Sequence, residues 1–234
     1  MRHCWLLAII IAAGAQIQGA RLQAAPMADP PSADPTSAEP VVQVDYSNPA
    51  LSPPQWTLIL HADGSGRFRS EANKTSNAGM KVIEAPSVDR EIQLSKEFTG
   101  QAFDTAKHHD WFNVSCESHL KVAFEGWKTL TYTGPTGRGS CTFNYSRDKE
   151  IQSLGESMQA VAETIVEGAR FELLLQHDRL GLDKEMEYFT QAVQDGRAQQ
   201  VYAIRDILER LAQDDGVLER VRKQARDLLA HAAA

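Results

Sequence analysis

The stretch WTLILHADGSGRFRSE, residues 56–71, decides the fold class because it contains two β-prone runs around a tight turn. Residues 56–62 and 67–71 form the runs, and the segment DGSG at 63–66 separates them. Glycine directly after aspartate between two such runs is typical of a β-hairpin. The sequence therefore predicts an antiparallel sheet that begins near residue 55.

Further strands are predicted downstream, where apolar and polar residues alternate. These strand candidates lie near residues 89–94, 120–124, 129–133 and 141–145. After the first of them, Ser95 is typical of an N-cap and predicts a helix that runs to about His109. We therefore predict an α+β fold with a small, mainly antiparallel sheet of about five to six strands and packed helices.

From residue 147 onward the apolar residues recur at helical spacing. The predicted helices cover residues 149–175, 183–194, 198–212 and 217–231. We expect the last two to pack against each other through their apolar stripes, as a helical hairpin. The prediction is thus an α+β domain over residues 55–167, followed by a helical extension over 168–234 that either packs on this domain or stands beside it.

The first 20 residues are typical of a signal peptide. Arg2 and His3 precede an apolar run over residues 5–13, and small residues follow it. We expect cleavage within 15–25 and export to the periplasm or the extracellular space. The apolar run is about half the ~20 residues that cross a bilayer, and no later run is longer, so we expect no integral membrane segment in the mature chain.

A proline-rich segment follows this leader, with eight of the ten prolines of the chain between residues 26 and 54. Its other residues are largely alanine, serine, aspartate and glutamate. Segments of this composition rarely bury a core. We therefore predict a disordered linker over residues 21–54.

The cysteine count indicates one disulfide. Cys4 precedes the apolar run and leaves with the leader, which reduces three cysteines to two. Thiols tend to pair in an oxidising compartment, so we predict a bond between Cys116 and Cys141, with two free buried thiols as the alternative. Closing a loop of about 25 residues stabilises a protein by roughly 3 kcal/mol.

The formal net charge of −7 argues against a nucleic-acid or anionic-membrane partner, since such proteins usually present a basic face. The sequence also lacks a catalytic motif. The segment GPTGRGS at 134–140 has the glycine spacing of a phosphate loop, but Ser140 stands where that motif requires lysine. We therefore predict no cofactor.

The densest group of potential metal ligands is His108, His109 and Asp110, to which His119 could be added if the fold brought it close. Adjacent residues on a helix point about 100° apart, so this group lacks the i, i+4 spacing that places two histidines on one metal. We predict that these residues form a helix end without a metal.

Trp127 is the candidate binding contact, because it follows Gly126 at a predicted turn. A tryptophan carried by a turn is costly to expose unless it is used. Trp111 and Phe112, in contrast, are expected to fill the core beneath the sheet.

Four features in this order resemble exported bacterial α+β domains that carry no assigned activity. They are the segment DGSGRF at 63–68, a helix that ends at a WF pair, a strand unit with paired cysteines, and a closing helix. The resemblance covers residues 55–167 and implies no site residue.

These features together predict an exported, non-catalytic protein that binds another protein or a cell-wall component. The alternative is an exported hydrolase that uses dispersed acidic residues or a His/Asp metal site. A deep pocket at His108, His109 or His119 would favour the hydrolase, whereas an exposed apolar patch on the helical tail or around Trp127, without such a pocket, would favour binding.

Overall fold

The structure is a computed structural model that describes residues 39–72 and 86–232. The predicted signal peptide and residues 21–38 of the predicted linker lie outside the described residues. Within the described ranges the chain forms six strands and five α-helices, which confirms the predicted α+β class.

The strands form one antiparallel sheet in the order β4-β3-β2-β1-β5-β6. Their bounds are β1 Val41–Ser47, β2 Gln55–His61, β3 Ser65–Ser70, β4 Val88–Gln93, β5 Trp127–Gly134 and β6 Gly137–Phe143. The predicted hairpin over residues 56–71 is confirmed, with β2 and β3 paired so that Leu58 lies opposite Phe68.

The first strand corrects the predicted linker, because β1 lies inside residues 21–54 and at the centre of the sheet. Val44 is opposite Leu58 on one side and Leu130 on the other, and it is fully buried. Prolines at 40 and 49 flank the strand without entering it. The local alternation of apolar residues therefore outweighs the composition of the surrounding segment.

The strand predicted over residues 120–124 is also wrong. This segment has no strand pairing, and its residues are exposed. Alternation alone predicted the strand, but here the apolar residues face solvent instead of a core. The last predicted strand, 141–145, begins and ends earlier, as β6 Gly137–Phe143.

The five helices are α1 Lys96–His108, α2 Lys149–His177, α3 Gly181–Gln194, α4 Arg205–Gln213 and α5 Glu219–Ala232. The first two begin at side-chain caps. The Ser95 hydroxyl accepts a hydrogen bond from the Phe98 N–H at 3.2 Å, as predicted, and the Asp148 carboxylate caps α2. The helix predicted over 198–212 is shorter, because Gln200 has a φ of 55° and a 3₁₀ turn at Val201–Ile204 precedes α4.

The helical extension packs on the α+β domain, and the predicted boundary at 167/168 falls inside α2. The first part of α2, through Val166, packs in the core beneath the sheet, whereas Phe171 and Leu174 belong to a second core among the helices. The Gln199 N–H also donates to the Ala160 carbonyl at 3.1 Å. None of the helices in the described ranges has the length and apolar character needed to cross a membrane.

One face of the sheet is buried in the core, and the opposite face, called here the open face, is polar. Strand residues alternate between the two faces, so that Val42, Val44 and Tyr46 are buried and their neighbours are not. The open face carries Gln43, Asp45, Ser47, Gln55, Thr57, Arg67, Arg69, Asp89, Glu91, Trp127, Thr129, Thr131, Ser140 and Thr142. The fold thus leaves a broad surface of hydrogen-bonding side chains accessible.

Candidate functional site

Four large apolar side chains lie exposed between Cys116 and the start of β5, whose first residue is one of them, and we call them the apolar patch. Leu120, Val122, Phe124 and Trp127 are 45%, 43%, 51% and 46% exposed. The Phe124 and Trp127 rings contact each other edge to face, with centroids 5.9 Å apart. Trp127, the binding contact predicted from the sequence, is therefore one member of a larger exposed group.

The segment before the patch is fixed to β6 by a covalent bond. Cys116 and Cys141 form the predicted disulfide, with Cα atoms 5.7 Å apart and both residues buried. Directly after it, the Glu117 carboxylate accepts hydrogen bonds from the backbone N–H groups of Asn144 at 2.7 Å and His119 at 3.0 Å. Desolvation alone would raise the pKa of Glu117, but these hydrogen bonds outweigh it and hold the pKa below its usual value.

The C-terminal half of the patch segment is fixed by Asn144 and Tyr46. The Asn144 side chain accepts from the Glu125 N–H at 2.8 Å and donates to the Ala123 carbonyl at 3.0 Å. The Tyr46 hydroxyl donates to the Glu125 carbonyl at 2.6 Å. The patch is therefore held at both ends, and its apolar side chains are displayed by a positioned loop.

Gly126 is required where this loop meets the sheet. Its φ is 112°, and a Cβ atom there would lie 2.5 Å from the Tyr46 ring. We expect Gly126→Ala to lower the unfolding free energy by about 2 kcal/mol, through backbone strain and displacement of a buried ring. Urea denaturation measures this change.

Gly100 provides the matched control, because it lies on α1 and a Cβ there would contact nothing within 4 Å. We expect Gly100→Ala to raise stability by about 0.5–1 kcal/mol, as alanine favours helix over glycine. A Gly126→Ala protein as stable as the wild type would contradict the close contact between residue 126 and the Tyr46 ring.

A cleft of about 630 Å³ lies on the open face and borders Trp127. It crosses the sheet from β5 to β4, and successive strands contribute Trp127, Asp45, Thr57, Arg69 and Asp89. Ser47, Gln55, Glu71, Ser87 and Thr129 add further polar groups. The apolar patch and the cleft are therefore continuous through one indole ring.

Two of the carboxylates in the cleft have different surroundings. Arg67 donates to both oxygens of Asp89, at 2.6 and 2.8 Å, and Arg69 lies 3.3 Å from it. The bonds from Arg67, with smaller contributions from Arg69, lower the pKa of Asp89 to about 2. Asp45, in contrast, accepts from two neutral groups of the described chain, the Gln43 amide at 2.8 Å and the Thr57 hydroxyl at 2.7 Å.

No protein-family model matches the chain, and no curated protein matches it either. The function is therefore inferred from the geometry of the site.

The candidate metal ligands are not brought together. His108 and His109 end α1 beside α2, where His109 Nε2 lies 3.2 Å from Glu150 Oε2. Asp110 accepts from the Asn113 amide, and His119 lies in the loop that carries the patch. Within residues 39–72 and 86–232, three or more His, Cys, Asp or Glu residues nowhere form a group that could hold a metal ion.

Sequence reasoning missed most of this site. Asp45 lies in the segment that was predicted to be a linker, and Glu71 ends the predicted hairpin without a distinguishing pattern. Leu120, Val122 and Phe124 did give a signal, since they alternate, but alternation predicted a strand. The missing information was the exposure of all three side chains.

Proposed function

We propose that this chain is an exported, non-catalytic binding protein whose contact surface is the apolar patch. The observation that carries the proposal is the exposure of four large apolar side chains on a loop held at both ends. Phe124 and Trp127 contact each other, and large exposed apolar side chains that cluster are typical of a surface that contacts a partner. Export itself rests on the signal peptide expected from the sequence, and the partner is a protein or a cell-wall component.

One carboxylate of the cleft, Asp89, is unsuited to the acid step of the hydrolase alternative. A glycoside hydrolase of the usual type requires one carboxyl group with a raised pKa to act as an acid. Asp89 has the opposite property, because Arg67 holds its pKa near 2. The histidines that would favour a hydrolase do not line this cleft. His108 lines a separate cavity of about 620 Å³ with Asp104 and Glu150, and neither His109 nor His119 joins it there.

Positioned loops support binding for a second reason. A loop that is already ordered loses less conformational freedom when a partner covers it, so more of the contact energy appears as affinity. The hydrogen bonds of the Asn144 side chain and the disulfide hold this loop in place, and neither covers the exposed apolar side chains.

The double variant Phe124→Ser/Trp127→Ser tests this proposal. Complete burial of each exposed ring contributes about 1.5–3 kcal/mol to the free energy of binding. We therefore expect the amount of envelope components retained by the immobilised protein to fall at least about tenfold. Affinity capture from the envelope fraction of the producing cell measures the retained material.

Leu180→Ser is the matched control, because Leu180 is 77% exposed but lies just before α3, outside the patch. We expect this control to retain the wild-type amount. Equal retention by the double variant and the wild type would contradict a role for the patch.

A further inference from the structure

The cleft beside the patch has an excess of negative charge. Its lining contains the carboxylates of Asp45, Glu71 and Asp89 and one cationic side chain, Arg69. Asp89 is already compensated by Arg67 and Arg69. Among the described residues, Asp45 and Glu71 have no ion-pair partner, so the uncompensated charge of the cleft belongs to these two groups.

The indole of Trp127 lies close to one of these carboxylates. Trp127 is opposite Ser47, and Asp45 is two residues before Ser47 on the same face of β1. Trp127 and Asp45 are therefore diagonal neighbours on adjacent strands, about 7 Å apart. A cation placed over the indole face would also reach the Asp45 carboxylate, which combines a cation–π contact with an ionic one.

The dimensions of the cleft fit an extended chain. Asp45 is on β1 and Glu71 directly follows β3, two strand spacings away, which is about 10 Å. A peptide in the extended polyproline II conformation rises about 3.1 Å per residue and has three residues per turn, so side chains three positions apart lie on the same side, about 9 Å apart. Two long basic side chains at that spacing would therefore reach Asp45 and Glu71 together.

We propose that the cleft binds lysine or arginine side chains of a polypeptide partner whose neighbouring apolar residues cover the apolar patch. This inference rests on the proposed function, because the patch and the cleft share Trp127. The partner's side chains in the cleft are basic because they complement the Asp45 and Glu71 carboxylates. The partner is a polypeptide because one chain can carry basic groups for the cleft and apolar groups for the adjoining patch.

The test uses a fluorescein-labelled hexapeptide with two lysines three positions apart, flanked by leucine and phenylalanine. A second peptide has norleucine in place of both lysines. Fluorescence anisotropy with the full chain is expected to show at least about tenfold weaker binding of the norleucine peptide at low salt. The difference is expected to shrink as salt is raised, because these carboxylates are accessible to solvent.

Two variants separate the cleft from the patch. We expect Asp45→Asn/Glu71→Gln to lower the affinity for the lysine peptide about tenfold and to leave the affinity for the norleucine peptide unchanged. Phe124→Ser is expected to lower the affinity for both peptides. Glu187→Gln, an exposed carboxylate on α3, is the control and is expected to change neither. The comparison of the two peptides on the wild-type protein needs no variant, so it decides the question even if a variant does not fold.

Equal affinity for both peptides, with binding still lost in Phe124→Ser, would overturn the role of the cleft and leave the proposed function intact. Absence of binding to either peptide, together with unchanged envelope capture by the patch variant, would overturn both. Full competition by N-acetyl-lysine amide at equal concentration would overturn the choice of a polypeptide, because a small cation cannot cover the patch.

Discussion

Replacement of both Cys116 and Cys141 by serine is expected to lower the unfolding free energy by about 3 kcal/mol and to release the apolar patch from its position. The bond closes a 25-residue separation that includes the whole patch loop, and the loss of such a bond increases the freedom of the unfolded chain by roughly this amount. Because both cysteines are buried, the serine hydroxyls would add a further penalty.

The consequence for binding is expected to be larger than that of an ordinary destabilising change. Glu117, Asn144 and Tyr46 still hold the loop after the bond is lost, but each does so through hydrogen bonds worth about 1 kcal/mol. We expect local opening of residues 117–126 to become frequent and affinity for the partner to fall.

Urea denaturation measures the stability, and hydrogen exchange of the Glu125 and Asn144 amides measures the loop. Gly126→Ala serves as a comparison, because it destabilises the same region without removing the covalent bond. Wild-type exchange rates at these amides in the serine variant would contradict a role for the disulfide in holding the patch.

The second large effect is expected in the pH dependence of stability, through Glu167. This residue of α2 is 1% exposed, and its Oε2 has no hydrogen-bond partner in the described part of the chain. The Arg170 guanidinium contacts its other oxygen and also donates to Glu185 at 2.8 Å. Burial, together with the nearby Glu185 carboxylate, raises the pKa of Glu167 to about 9, and the charge of Arg170 only partly opposes this change.

The sign of the effect follows from this raised pKa. The folded protein keeps the Glu167 proton up to about pH 9, whereas an unfolded glutamate loses it near pH 4.5. The stabilisation is therefore complete below about pH 4.5 and is lost progressively as the pH rises toward 9. We expect the unfolding free energy to fall by up to about 5 kcal/mol between pH 5 and pH 9.

Glu167→Gln removes the titrating group and keeps its shape, so we expect a much flatter pH profile with higher stability at pH 9. Urea denaturation at several pH values checks this expectation, and Glu187→Gln on the exposed side of α3 should retain the wild-type profile. A wild-type slope in the Glu167→Gln protein would show that other groups cause the dependence.

The elements that were predicted correctly are those in which the local pattern and the tertiary environment agree. The hairpin over residues 56–71 has turn residues between runs whose alternate side chains are buried. Ser95 caps α1 through its own hydroxyl, which is a purely local interaction. The cysteine pair followed from compartment and count, without knowledge of the fold.

The errors arose where two segments with similar patterns have opposite environments. Val42 and Val44 alternate with polar residues and are fully buried, whereas Leu120, Val122 and Phe124 alternate and are exposed. Pairing partners distant in sequence decide between these outcomes, since β1 has β2 and β5 beside it and residues 120–124 have no strand partner. Periodicity records which side chains share a face, but it does not record what covers that face.

The cleft could not be predicted for the same reason. Asp45, Glu71 and Trp127 are far apart in sequence and meet only because β1 lies between β2 and β5. A sequence pattern identifies Trp127 as unusual, but the neighbouring carboxylates depend on strand order.

Site-specific photo-crosslinking from position 122 tests the central claim most directly. Val122 lies in the middle of the apolar patch and is 43% exposed, so a benzophenone side chain there would touch whatever covers the patch. We predict a discrete crosslinked product in the producing cell that disappears in the Phe124→Ser/Trp127→Ser background, and no product from the same group at Leu180. Equal products from both positions, or none from position 122, would contradict the assignment of this patch as the binding surface.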